Sequence, residues 1–304
     1  MISISKAITK IKKAITFISL IIYYQFMPCT LGINKKEYRH KKIVLSLTTY
    51  SKRLHSLHLC LRSLLNQNYR PDKVILYLGN DLKINQLSHK ILKLRKFGLE
   101  IIEHGENLKS HKKYYYAMKS FPEDIVITVD DDCIYDRHLV ESLVNSYKRF
   151  PYAVSCRRAN KITFDEKKNI LPYSQWVIGC KEFDYPSMLY LATGVGGVLY
   201  PPHSLDKEVF NKVNIYQLCL PADDIWLKCM QILKRTPTVI VRSNHIHPFL
   251  IPYTSRVALA NSNVLKNKND LYIKKVAYNY HIDFRALIGP LEFQRESDAP
   301  FEMK

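Results

Sequence analysis

Phe121-Pro122-Glu123-Asp124-Ile125-Val126-Ile127-Thr128-Val129-Asp130-Asp131-Asp132 places a polar turn, a β-branched apolar run and three carboxylates in immediate succession. An apolar run bounded by turn residues reads as a buried strand. Open α/β sheets bind ligands beyond the carboxyl ends of their strands, where these aspartates stand. Adjacent carboxylates repel one another, and burying them unpaired is costly. A hard divalent cation, Mg²⁺ or Mn²⁺, that shares its oxygen ligands with substrate phosphates would relieve that repulsion. Side chains alternate along an extended chain, so Asp130 and Asp132 form the expected metal-facing pair. The competing explanation is an acidic turn that caps the next helix, yet Asp136, ahead of Arg137-His138-Leu139-Val140, already suits that role.

Outward from this run, strand-like and helix-like segments alternate, the signature of a mostly parallel α/β sheet. Strands are expected at 43–49, 73–78, 99–103, 152–156 and 238–241, with a weaker candidate at 175–180. Leu54, Leu57, Leu61, Leu64 and Leu65 make a helical stripe, and helices are also expected at 88–96, 112–120, 137–150 and 225–233. No Pro/Gly-rich linker divides the body. A single catalytic domain over 43–304 is therefore expected, behind a basic and apolar segment at 1–42.

Three features beyond the aspartates carry possible chemistry. Gly194, Gly196 and Gly197 are three of only nine glycines, and such clustering marks a tight turn or a close ligand approach. They do not form a Walker loop, and Leu199 breaks a Gly-X-Gly-X-X-Gly pattern. Asp223 and Asp224 open an amphipathic helix, where capping explains one carboxylate but not two. His245 and His247 follow a strand and share one side of it if it continues.

These residues resemble glycosyltransferases of the GT-A fold, especially family 2-like enzymes of bacterial surface polysaccharide synthesis. The resemblance covers about residues 43–270. It rests on the opening strand, helix and second strand, the Asp-X-Asp at Asp130-Asp131-Asp132, the loop Thr193-Gly194-Val195-Gly196-Gly197, and Ala222-Asp223-Asp224-Ile225-Trp226. It implies a GT-A (Rossmann-like) sheet with a nucleotide-sugar half (43–156) and an acceptor half (157–304). It also implies transfer of a sugar, with inversion, from a nucleotide-sugar donor to a hydroxyl of a glycan or lipid-linked acceptor. Donor contacts would come from Thr48 on the first strand, Asp81 after the second, Asp130 to Asp132, and Lys112 and Lys113, with Arg157 and Arg158 as further candidates. The glycine loop would lie under donor sugar and acceptor. Asp224, or failing that Asp223, would be the general base, although a helix start lowers carboxylate pKa and weakens a base unless burial offsets it. Trp226 would stack on a sugar or fill the core. His247 would complete the metal site with Asp130 and Asp132.

The chain of 304 residues carries a net charge of +19. Residues 1–42 contribute eight lysines and one arginine against one glutamate. There Lys6, Lys10, Lys12 and Lys13 precede the apolar run 14–24, which is shorter than the roughly 20 residues of a spanning helix. An interfacial helix on an anionic membrane fits best, ahead of a single spanning anchor or a core helix. Seven cysteines without Cys-X-X-Cys spacing point to a reducing compartment, hence the cytoplasmic face of the inner membrane. No nucleic-acid-binding pattern accompanies the basic charge, and the acidic clusters oppose such a partner. A Mg²⁺-dependent nucleotidyltransferase would want a glycine-rich loop where Thr48-Thr49-Tyr50-Ser51-Lys52-Arg53 stands. A non-catalytic membrane scaffold is the remaining alternative.

Overall fold

The computed structural model describes residues 15, 16, 18–26, 31–242, 248–251 and 268–288. A seven-stranded sheet runs in the order β10-β6-β9-β4-β1-β2-β3. Its strands are β1 (Ile43–Thr48), β2 (Lys73–Leu78), β3 (Leu99–Glu103), β4 (Ile125–Thr128), β6 (Val154–Cys156), β9 (Val198–Tyr200) and β10 (Thr238–Ile240). Only β9 runs against its neighbours, β4 and β6. Two small antiparallel pairs flank the sheet, β5 (Cys133–Ile134) with β11 (Phe249–Leu250) and β7 (Ala159–Lys161) with β8 (Tyr190–Ala192).

Both faces of the sheet are buried, as a sheet covered on both sides by helices requires. On β1, Ile43, Leu45 and Leu47 face one core layer, with Leu57 and Leu61 of α2 (Leu54–Leu64) and Leu143 of α5 (Leu139–Arg149). Val44 faces the other, with Tyr114 of α4 (Lys112–Ser120), Leu227 of α7 (Asp223–Lys234) and Ile273 of α8 (Lys268–Asn279). The period-2 alternation of the strand thus serves two cores at once. Helical residues 15–16 and 18–26, here α1, dock on α2, and a single turn, α6 (Lys212–Asn214), precedes α7. No described helix is long and apolar enough to cross a membrane.

Several sequence expectations change. The stretch 175–180 is not a strand: a 3₁₀ turn, Tyr173–Gln175, leads to one isolated bridge between Lys161 and Val177. The basic helix at 88–96 is a single α turn, α3 (His89–Leu92), followed by a 3₁₀ turn, Lys93–Phe97. Asp136 does not cap α5. Its carboxylate accepts from the His138 amide (2.9 Å) and pairs with Arg157 (2.6 Å), so Arg157 is drawn toward the sheet edge.

Register explains where the site must lie. Thr128 of β4 pairs with Val198 of antiparallel β9, so the glycine loop ahead of Val198 meets the aspartates beyond Thr128 at one edge. Cys156 of β6 also pairs with Val198, which brings Arg157 and Arg158 to the same edge. Gly197 turns the chain into β9 at φ +78°, and a Cβ there would lie 2.7 Å from Leu139 Cδ1. Only glycine takes that conformation without strain.

Candidate active site

A cavity of about 870 Å³ opens along this edge. Thr48, Thr49, Tyr50 and Arg53 line it from the end of β1, Asp81 from the loop after β2, and Lys112 and Lys113 from the start of α4. Asp130, Asp131 and Asp132 line it from beyond β4. Arg157, Arg158, Tyr173, Lys181, Asp223 to Ile225 and Asn269 complete the lining. Residues separated by most of the chain therefore meet in one space, and that space has the size of a small-molecule site.

The three aspartates are not equivalent. Asp131 is buried and both its oxygens are engaged, one accepting from Thr49 Oγ1 (2.6 Å), the other bound by Arg53. Arg53 also pairs with Asp132 Oδ2 (2.9 Å). Asp130 Oδ1 pairs with Lys113 Nζ (2.7 Å). Among the described residues, Asp130 Oδ2 and Asp132 Oδ1 enter no ion pair. Asp130 and Asp132 are the alternating pair, and Asp132 Oδ1 accepts a bond from the Cys133 thiol (3.6 Å) but meets no cation. Burial, with Asp130 beside it, pushes Asp132 up to about 6. Burial also raises Asp131, against the pull of Arg53. An added cation would relieve this crowding.

Among the described residues, no group of three or more His, Cys, Asp or Glu side chains is placed to hold a metal alone. Two carboxylate oxygens do fit the ordinary mode of Mg²⁺ or Mn²⁺, which completes its shell with substrate phosphates and water. His245 and His247 lie outside the described residues.

Lys113 joins the two acid clusters. Its ammonium lies 2.7 Å from Asp130 and 3.0 Å from Asp223 Oδ2, with the side chain almost wholly buried. Just ahead of α4, His111 bonds through Nε2 to the carbonyl of Cys219, four residues before α7 (3.1 Å). Three carboxylates around Lys113 outweigh its burial and hold it charged, well above the usual lysine range. Burial raises Asp223, but Lys113, His111 and a Ser110 hydrogen bond together outweigh it and lower the carboxyl.

Asp224 goes the other way. Burial and the adjacent Asp223 raise its carboxyl to about 8. The N-cap of α7 is Ala222, and neither aspartate caps the helix through its side chain. Asp224 instead accepts from the Gly194 amide (3.2 Å). Helix-start stabilisation is thus outweighed, and a carboxylate that titrates near neutral pH suits a general base.

Lys112 is buried, bonds Asn107 Oδ1 (3.0 Å) and lies 3.9 Å from exposed Asp81. Thr48 lines the cavity, and its Oγ1 donates to the Tyr77 carbonyl (2.8 Å). Trp226 does not reach the cavity. It is fully buried, donates from Nε1 to the Val209 carbonyl (3.2 Å) and packs edge-on against Tyr280. One residue from Ile225 along α7, the 100° helical step turns Trp226 into the core, which excludes sugar stacking. Arg53 was missed by sequence reasoning. Its position one turn beyond β1, opposite the aspartate strand, was the available signal.

Gly194 stands where the clusters meet. A Cβ there would lie 2.8 Å from both Asp130 Oδ1 and Lys113 Nζ. Gly194→Ala is expected to force that ion pair apart, lowering stability by about 1–3 kcal/mol. Displacement of the site should also slow turnover by up to about 10²-fold. Thermal unfolding and turnover of the purified variant check both, and unchanged values for both would remove the close approach.

Residues 47–197 match the family described as Glycosyl transferase family 2. Among solved structures, S. aureus TarS 1–349 aligns with a TM-score of 0.45 and 13% identity, covering 79% of this chain and 72% of that one. The mannosyltransferase PcManGT from Pyrobaculum calidifontis, solved with GDP-Man and Mn²⁺, aligns with a TM-score of 0.44 and 11% identity, covering 94% and 88%. No curated protein sequence matches this chain.

Proposed function

We propose that the chain, whose residues 47–197 match the family described as Glycosyl transferase family 2, is a metal-dependent, inverting transferase that moves a sugar from a nucleotide-sugar donor to a hydroxyl of a glycan or lipid-linked acceptor in surface polysaccharide synthesis. The observation that carries this reading is the pair of acid clusters, Asp130 to Asp132 and Asp223-Asp224, facing one cavity with Lys113 between them. One cluster suits a cation on a diphosphate; the other supplies a base.

Asp130 and Asp132 would hold Mg²⁺ or Mn²⁺ through the oxygens that enter no ion pair, and the bound ion would neutralise charge on the departing diphosphate. Arg53 keeps Asp131 and Asp132 in place. Lys112, close to Asp81 on the nucleotide wall, offers a point charge to the donor phosphates. Ionised Asp224 takes the acceptor hydroxyl proton as that oxygen bonds to the anomeric carbon. The bond from that carbon to the phosphate oxygen breaks on the opposite side, so configuration inverts and a nucleoside diphosphate leaves. Asp223, held ionised by Lys113, stays a spectator charge that keeps Asp224 basic.

A panel of nucleotide sugars, tested by thermal shift with Mn²⁺ and with chelator, examines this reading. At saturating donor the unfolding midpoint should rise by about 5–10 °C, as follows from ligand concentrations near 100 times Kd. The rise should vanish with chelator. No shift from any donor under either condition would end the transferase reading. A shift that survives chelation would end metal dependence alone.

A further inference from the structure

Among the described residues, the amino-terminal helix keeps one face exposed. Ile15, Ile18, Ile22 and Phe26 recur at helical spacing and are 62%, 56%, 54% and 75% exposed. On the other side Tyr24 is buried in the core layer, and Leu20 and Ile21 pack against it. Gln25 fastens the helix to α2, its carbonyl accepting from Arg62 (2.9 Å) and its side chain bonding His58 (2.7 Å). The helix is therefore held along the domain with a continuous apolar stripe outward.

A basic surface lies where the chain leaves this helix. After the helix the chain is tied to both neighbours, by Gly32 N to Leu65 O (2.9 Å) beyond α2 and by Ile33 N to Phe97 O (3.3 Å) at the end of the basic 3₁₀ turn. Lys90, Lys93, Arg95 and Lys96, on α3 and this turn, are exposed. Among the described residues none of them pairs with a carboxylate. His58, which bonds the helix, lies on α2, and α3, which carries Lys90, packs against α2. Lys35 and Lys36 add exposed charge on the connecting strand of chain.

We infer that the outward stripe of the amino-terminal helix and the basic surface of α3 together form a docking face for an anionic lipid bilayer, with the helix lying in the plane of the interface. An apolar stripe buries in the acyl boundary while adjacent lysines meet anionic headgroups. A second copy of this chain fits poorly, since a two-fold contact over the stripe would set the α3 lysines against their own kind. The proposal is independent of the reaction at the cavity, and none of its residues lines that cavity.

The test is vesicle co-sedimentation of the full-length protein. Vesicles of phosphatidylglycerol mixed with phosphatidylcholine should bind it, and phosphatidylcholine alone should not. Lys90→Gln with Lys93→Gln should weaken partition roughly 30-fold, the product of two basic contacts near an anionic surface. Ile18→Ser with Ile22→Ser should abolish partition. If that second variant loses its fold, the lysine variant, altered only at exposed positions, still decides. Absence of binding to the anionic vesicles, or equal binding to both kinds, would overturn the proposal. So would a dimer in solution that the isoleucine variant converts to monomer without any vesicle binding.

Discussion

Asp224→Asn is expected to reduce sugar transfer by roughly 10²–10⁴-fold, the usual cost of losing a general base, while donor binding persists. The asparagine keeps the size of the side chain and can still accept the Gly194 amide bond. Donor contacts belong to the other cluster, so calorimetric affinity for a nucleoside diphosphate with Mn²⁺ should be nearly unchanged. In the unaltered protein, transfer at low substrate should rise with pH and level off above about 8, where Asp224 is ionised. The same shift has a stability consequence. Asp224 is raised above its unfolded value, so its contribution is full below the unfolded pKa near 4 and is lost as pH rises through about 8. Asp224→Asn removes that loss. At pH 8.5 the variant should therefore unfold at a higher temperature than the parent, by roughly 2–4 °C for each kcal/mol recovered. Near-normal transfer by this variant would remove Asp224 as the base. Inactivity of Asp223→Asn instead would move that role one residue along the chain.

Asp132→Asn should lower Mn²⁺-dependent affinity for a nucleoside diphosphate by at least about 100-fold, beyond the roughly 10–100-fold cost of losing an outer supporting group. The fold should survive, because Arg53 retains its bond to Asp131. Asp131→Asn should behave differently. Its carboxylate is buried and engaged on both oxygens, so the loss leaves Arg53 under-compensated and should cost stability more than affinity. Proton and metal compete for a carboxylate, and Asp132 is pushed up to about 6. Metal-dependent affinity should accordingly fall as pH drops below about 6. Calorimetry across pH on the parent and both variants checks the assignment. Unchanged metal-dependent affinity in Asp132→Asn would take the cluster out of the donor site.

Much of the frame was legible locally. The β-branched run with turn residues on either side predicts β2 at 73–78, and helix-favouring residues ahead of Phe121-Pro122 predict α4 at 112–120; both bounds coincide with the structure. The acid clusters were legible too, because a run of carboxylates after an apolar strand has few cheap explanations. Strand order was not. The insertion of antiparallel β9 between β4 and β6 rests on pairing between distant segments, which no local period encodes.

Within the site, sequence determined which carboxylates exist and that each cluster follows or opens a regular element. Tertiary structure decided what each carboxylate is. Asp130, Asp131 and Asp132 differ because Arg53 and Lys113 arrive from other elements and claim particular oxygens. Trp226 turned inward because the step along α7 from Ile225 points it at Val209 and Tyr280. The helix start of α7 argues for a lowered Asp224, yet burial and Asp223 raise it. The first effect comes from neighbours in the chain and can be read there. The second depends on how much water the assembled fold removes, and only the packed structure sets that.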